Sequence, residues 1–203
     1  VTDCDRLRPV GEGSRAALGH GYVAAVDAVL APLHAKLPIR LINMGISGNT
    51  VRDLASRWEA DVQALGPDWL SVMIGINDVW RQFDGIDGAA AVMPDEFARI
   101  YEGLIARSRP RLKGLVLMAP YFVQSSRADP MRRRMDEYGG IVRSLAARHG
   151  ALLVDTQAAI DRALEQGEFE SIAGDRVHPT QAGHAIIARA FLDSIGVSPD
   201  SRR

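Results

Sequence analysis

Four short apolar runs, separated by longer amphipathic stretches, constrain this chain more than any other feature. The runs are Arg40-Leu-Ile-Asn43, Trp69-Leu-Ser-Val-Met-Ile74, Leu115-Val-Leu-Met118 and Ala151-Leu-Leu-Val154. Most are continuously apolar, the pattern of parallel strands covered on both faces. Between them, apolar residues recur at helical spacing. Tyr22, Val26, Val29 and Leu33 form one such set, and Val51, Leu54, Trp58 and Val62 another. Met135, Tyr138, Val142 and Leu145 form a third, and Ile187, Phe191 and Ile195 a fourth. The last has Pro179 near its first turn and Gly196 just past its end, the usual punctuation of a helix. This alternation predicts a parallel sheet with helices on both faces, a three-layer α/β/α sandwich. Right-handed crossovers then leave the functional loops at the carboxyl ends of the strands. The unusual residues fall there: Asn43-Met-Gly-Ile-Ser-Gly-Asn-Thr50, Gly75-Ile-Asn-Asp78, Pro120-Tyr-Phe122 and Asp175-Arg-Val-His-Pro179.

Composition narrows the function. The 203 residues suit one domain, or at most two small ones. Lys+Arg total 24 against Asp+Glu 25, a net charge of −1. That balance gives no basic footprint for nucleic acid and no polybasic membrane signature. No apolar run reaches the ~18 residues of a membrane span. With Cys4 the single cysteine, no intrachain disulfide and no thiolate metal cluster can form.

Asp175 and His178 lie three residues apart on one loop. A carboxylate there can accept from one imidazole nitrogen, fix the tautomer and leave the other nitrogen as a base. On spacing alone a plainer reading is favoured, with Asp175 as a helix cap and His178 on the surface. Asn77 follows a glycine at a strand end, where its amide could offer donors to a developing oxyanion or simply close a turn. Gly48 could bring its backbone N–H close to a ligand, or be a plain turn glycine.

Together, in this order, Asn43, Gly48, Asn77 and the Asp175-x-x-His178 pair resemble the SGNH (GDSL-type) hydrolases. The resemblance runs from the first residue to about Gly196. It is nearest to the acetyl-xylooligosaccharide esterases through Gly45-Ile-Ser-Gly-Asn-Thr-Val-Arg-Asp53, Ile74-Gly-Ile-Asn-Asp-Val-Trp-Arg-Gln82 and Asp129-Pro-Met-Arg-Arg133. It implies a flavodoxin-like parallel sheet and a serine esterase. Gly48 and Asn77 would form the oxyanion hole, Asp175 and His178 would complete the triad, and Gly48, Asn77 and His178 would converge at the strand ends. No metal or organic cofactor is implied. The expected activity is two-step acyl transfer that removes acetyl groups from xylo-oligosaccharides. It should fall on the acid side as His178 becomes protonated.

The family's nucleophile is the serine of a Gly-Asp-Ser motif, and this chain begins Val1-Thr-Asp-Cys-Asp5. The serine is therefore expected immediately before Val1, and residues 1–203 are expected to be one SGNH domain lacking its first strand and that motif. In the 2-1-3-4-5 order this strand lies inside the sheet. Cys4 could instead pair with His178 as a thiolate, though a lone cysteine is more often a packing residue. Ser47 lies in the oxyanion block, and Ser14 reads as a cap or loop residue.

Asp78, Trp80, Arg81 and Tyr121 are expected to bind substrate, the aromatic rings as stacking faces for a sugar. Trp80, Tyr121 and Phe122 read equally well as anchors to the core. Met131-Arg-Arg-Arg134 reads as a solvated helix start, and His20, His34, His149 and His184 as structural. The partner is a small acylated sugar, with a homo-oligomer and a cytoplasmic location expected. Two other readings stay open: a lysophospholipase- or thioesterase-type hydrolase, and a non-catalytic carbohydrate-binding protein.

Overall fold

Three of the four apolar runs pair side by side in the computed structural model, which describes residues 1–7, 15–33, 38–85 and 91–197. Strands β1 (Trp69–Met73), β2 (Gly114–Met118) and β3 (Leu152–Val154) form a parallel sheet in the order β1-β2-β3. Trp69 stands opposite Gly114 and Val116 opposite Leu152. The central strand β2 is buried at all five positions, which explains why its sequence has no polar alternation. The class is α/β with a parallel sheet, as the strand–helix alternation requires.

The chain divides into two compact units. One is Gly48–Gln166, and the other joins Val1–Ser47 to Gly167–Arg203.

The sheet lies in the continuous unit, with helices α2 (Val51–Trp58), α3 (Ile76–Trp80), α4 (Pro94–Ser108), α5 (Pro130–His149) and α6 (Thr156–Leu164). Helix α2 packs on α4, α4 on α5, and α5 on α3 and the sheet. Trp58, Phe97, Tyr101, Met135, Tyr138 and Val142 are all buried. Phe97 meets Tyr101 edge-on at 5.6 Å between ring centroids and Tyr138 at 4.8 Å. The Trp58 indole donates to Ser108 Oγ at 2.9 Å, so its one polar atom is satisfied inside the core. Past Trp58 the helix widens into a π-turn over Glu59–Gln63, which still buries Val62. Helix α5 starts at Pro130 behind an Asp129 cap and stops at Gly150 in the left-handed conformation.

The discontinuous unit is helical in its described residues, with α1 (Tyr22–Leu30), α7 (Phe169–Ile172) and α8 (Gln181–Ser194). Helix α8 packs on both α1 and α7. Tyr22, Val26 and Leu30 are buried on one helix, and His184, Ile187 and Leu192 on the other. Val29 is half-buried and Leu33 is exposed, so the apolar stripe turns by one position from the expected set.

The run Arg40–Asn43 is not a strand. A strand exists only where a neighbour takes its backbone groups, and an apolar run cannot specify that neighbour. Asn43 is instead a side-chain tie. Its Nδ2 donates to Thr2 O at 2.7 Å and Leu18 O at 2.8 Å, while Oδ1 accepts from Gly45 N–H at 2.9 Å. Arg6 Nε reaches Gly45 O at 2.8 Å, and Asp3 Oδ2 accepts from Ser47 N–H at 2.9 Å. Ser14 and His34 lie outside the described residues.

Candidate active site

In the discontinuous unit, the loop before α8 is built around Asp175. Its Oδ1 accepts from Val177 N–H at 3.0 Å and His178 N–H at 2.7 Å. Its Oδ2 lies 2.6 Å from His178 Nδ1. Arg176 adopts a left-handed φ of 67°, with its guanidinium 4.3 Å over the Phe169 ring. Val177 is buried as the loop's apolar anchor. The plainer reading of Asp175 as a helix cap fails, because Thr180 caps α8 by accepting from Gly183 N–H at 3.2 Å.

Partial burial pushes the Asp175 carboxyl up. The hydrogen bonds from the His178 ring and from the two backbone N–H groups outweigh it and hold the carboxyl below its usual range. An ionised Asp175 fixes the proton of His178 on Nδ1. Nε2 is then left as an acceptor, the tautomer a general base needs. His178 is 60% exposed at its side chain, so that nitrogen is open to a reactant.

Cys4 is not set against His178. Its sulfur lies 3.5 Å from His184 Nε2, and His184 Nδ1 accepts from Tyr22 N–H at 3.1 Å. Burial pulls His184 down to about 4, so the ring is neutral and carries its proton on Nε2, directed to the sulfur. The pair packs the unit, and His184 is structural as expected.

In the continuous unit, Asn77 is tied to the loop that carries Gly48. Asn77 stands in the first turn of α3, just past the end of β1. Its Nδ2 donates to Asn49 O at 2.9 Å. An amide has two N–H donors, so this bond uses one of them. Gly48 takes φ 79°, a conformation that a side chain would strain. The loop then enters α2 through a capping box. Thr50 N–H donates to Asp53 Oδ2 at 2.8 Å, and Asp53 N–H to Thr50 Oγ1 at 3.5 Å.

Arg57 Nε holds Asn49 Oδ1 at 2.8 Å and also pairs with Asp61. Sequence reasoning missed Arg57. Its i,i+4 spacing to Asp61 reads as a solvated pair, and no pattern links it to Asn49, eight positions back.

The four expected substrate residues divide. Trp80 is half-buried, and Arg81 pairs with Asp84 at 3.6 Å with its guanidinium beside Gly48. Tyr121 is fully buried, so its ring offers no stacking face. Phe122 is buried too, its backbone N–H and C=O both held by the Gln157 amide at 2.8 and 3.1 Å. Asp78 is fully buried and turned to α2, where Oδ1 accepts from Val51 N–H at 2.9 Å. It has no surface for a sugar.

The basic run 131–134 also needs correction. Arg132 is 1% exposed, not solvated. Its Nε donates to Asp136 Oδ1 at 2.9 Å, Nη1 and Nη2 fork onto Asp161 at 2.8 and 2.7 Å, and Gln124 O completes the set. No described helix is long and apolar enough to cross a membrane.

Known proteins resemble this chain along most of its length. The GDSL-like Lipase/Acylhydrolase family matches residues 10–186. An acetylxylan esterase of Geobacillus stearothermophilus is 51% identical over 197 residues, 97% of this chain and 90% of that protein. The crystal structure of an acetylxylan esterase from the same organism matches with a TM-score of 0.96 at 50% identity, covering 100% of this chain and 93% of that one. The crystal structure of an α/β hydrolase enzyme from the metagenome of Lake Arreo, Spain, matches with 0.91 at 49% identity, covering 96% and 90%. Structures of catalytic mutants of the Geobacillus esterase replace a serine, an aspartate and a histidine by alanine, the last two being three positions apart. A family match over most of the length, with a half-identical relative along nearly all of it, settles the assignment: the chain belongs to the GDSL-like lipase/acylhydrolase family and is a carboxylic ester hydrolase.

Proposed function

We propose that this hydrolase is a serine esterase removing acetyl groups from xylo-oligosaccharides by two-step acyl transfer. The observation that carries the mechanism is the 2.6 Å contact between Asp175 Oδ2 and His178 Nδ1, which frees the other ring nitrogen as a base. The nucleophile in this reading is the serine that the resemblance puts immediately before Val1. His178 takes its proton as it attacks the ester carbonyl, and Asp175 holds the imidazolium. The Gly48 N–H and the uncommitted N–H of Asn77 stabilise the tetrahedral oxyanion. His178 then protonates the leaving sugar hydroxyl and activates water for deacylation.

The acetylated-sugar substrate is supported by the half-identical acetylxylan esterase. A cytoplasmic location and a homo-oligomeric state belong to the same proposal. The single free Cys4 suits a reducing compartment.

The substrate is tested by comparing kcat/KM on acetylated xylo-oligosaccharides, an aryl acetate and long-chain acyl esters. A preference for long chains would reject the sugar assignment in favour of a lysophospholipase- or thioesterase-type enzyme. Trp80→Ala is expected to lower kcat/KM on the sugar about 10-fold through the lost ring contact, and to change aryl acetate hydrolysis less. Equal losses would make Trp80 a structural residue. Asn77→Ala is expected to cost about 10²–10³ in kcat, since it removes an oxyanion donor and the tie to Asn49 together. Steady-state kinetics on the aryl acetate reads this out, and a loss confined to KM would exclude the oxyanion role.

A further inference from the structure

Asp78 follows the proposed oxyanion Asn77 directly and has no surface of its own. The two neighbours hold the same loop at two points. Asn77 Nδ2 donates to Asn49 O at 2.9 Å, and Val51 N–H donates to Asp78 Oδ1 at 2.9 Å. These points flank Thr50, the cap of α2. Val51 N–H is one of the donors a helix start leaves without an internal partner, and here a carboxyl from a different helix takes it. Asp78 Oδ2 is buried and has no hydrogen-bond partner among the described residues.

We infer that Asp78 is a positioning residue, which holds the Gly48–Val51 loop to α3 through the Val51 amide and so fixes the spacing between the two oxyanion donors. The inference rests on the oxyanion roles proposed for Gly48 and Asn77.

Its protonation state matters because of the unpartnered oxygen. A carboxylate is a strong acceptor for Val51 N–H. A neutral acid is a weaker one, and its proton on Oδ2 meets no acceptor. Burial pushes the Asp78 carboxyl up to about 7, against the backbone hydrogen bonds from Val51 and from its own N–H. The groups facing it are Asp53 and Arg52 on α2 and Tyr138 on α5. Arg52 is engaged in a fork with Glu96 at 2.7 Å, and Tyr138 with Gln82 and Val92 O. Gln82 Nε2 also donates to Asp78 O at 3.0 Å.

Asp78→Asn in the intact protein keeps the shape and an acceptor oxygen but fixes the neutral state. At pH ~8, where wild-type Asp78 is mostly ionised, kcat on an aryl acetate is expected to fall about 10- to 100-fold with KM little changed. The ratio of wild-type to variant kcat is expected to shrink as pH falls through about 7, where the wild type itself becomes neutral.

An unchanged kcat, or a ratio constant with pH, would overturn the inference. If Asp78→Asn does not fold, NMR of the wild type decides it. The Val51 and Gly48 amide signals should move with the midpoint of the Asp78 carboxyl, and amides that stay fixed while Asp78 titrates would overturn it. A wild type inactive on every acyl ester would overturn the oxyanion reading itself. An active wild type with an indifferent Asp78→Asn overturns only the positioning role.

Discussion

Replacing His178 by alanine is expected to lower kcat on acetyl esters about 10⁴-fold or more, with the fold intact. The ring is the base in the proposed mechanism, and its Nε2 is the nitrogen that Asp175 leaves open. The substitution empties an exposed loop position, so it opens no core cavity. Circular dichroism and thermal melting should therefore match the wild type while turnover disappears. A variant that keeps a tenth of its activity would remove His178 from the chemistry. One that unfolds would make the ring a structural element. Asp175→Asn should fall in the same range, because the amide presents an N–H to Nδ1 and so favours the wrong tautomer.

The second large effect is on stability. Arg132→Ala is expected to cost about 2–4 kcal/mol, since it removes a buried guanidinium and leaves the partly exposed Asp161 and Asp136 carboxylates with only the exposed Arg127 as a cation. For a chain of this size that is roughly a 10 °C fall in Tm. Arg132→Lys keeps the charge but loses the planar fork onto Asp161, and should recover only part of the loss. Chemical denaturation at neutral pH measures both. A change within about 0.5 kcal/mol for the alanine variant would mean that the network is no stronger than a surface pair.

What could be read in the sequence follows from how local each signal is. β2 was legible because a strand covered on both faces shows an unbroken apolar run, and five buried residues in succession supply it. The Asp175–His178 pair sits on one loop, yet spacing alone favours a cap and a surface histidine, and only the order of motifs along the whole chain made it legible. Arg40–Asn43 has the same apolar look but no paired neighbour, and pairing depends on residues far along the chain. Arg132 was misread because a basic run flanked by acids looks alike whether it is solvated or buried. Only Asp161, 29 positions on, distinguishes the two cases. Tyr121 and Asp78 carried the right chemistry for a sugar site, yet both face inward. The residue type announces what a group can do, while the packing around it decides whether anything can reach it.

The division of the chain also sets an order of assembly. Gly48–Gln166 is continuous, so all of its contacts are available once its last residue has left the ribosome. The other unit is stitched from segments on either side of it, and α1 meets α8 only after Gln181–Ser194 has been made. Such a long loop closes late, because its entropy must be lost before any contact rewards it. The proposed oxyanion donors therefore belong to the segment that can form early during synthesis. Asp175 and His178 are made after that segment, so a nascent chain carries the Gly48–Gln166 unit before it has its proposed acid–base pair.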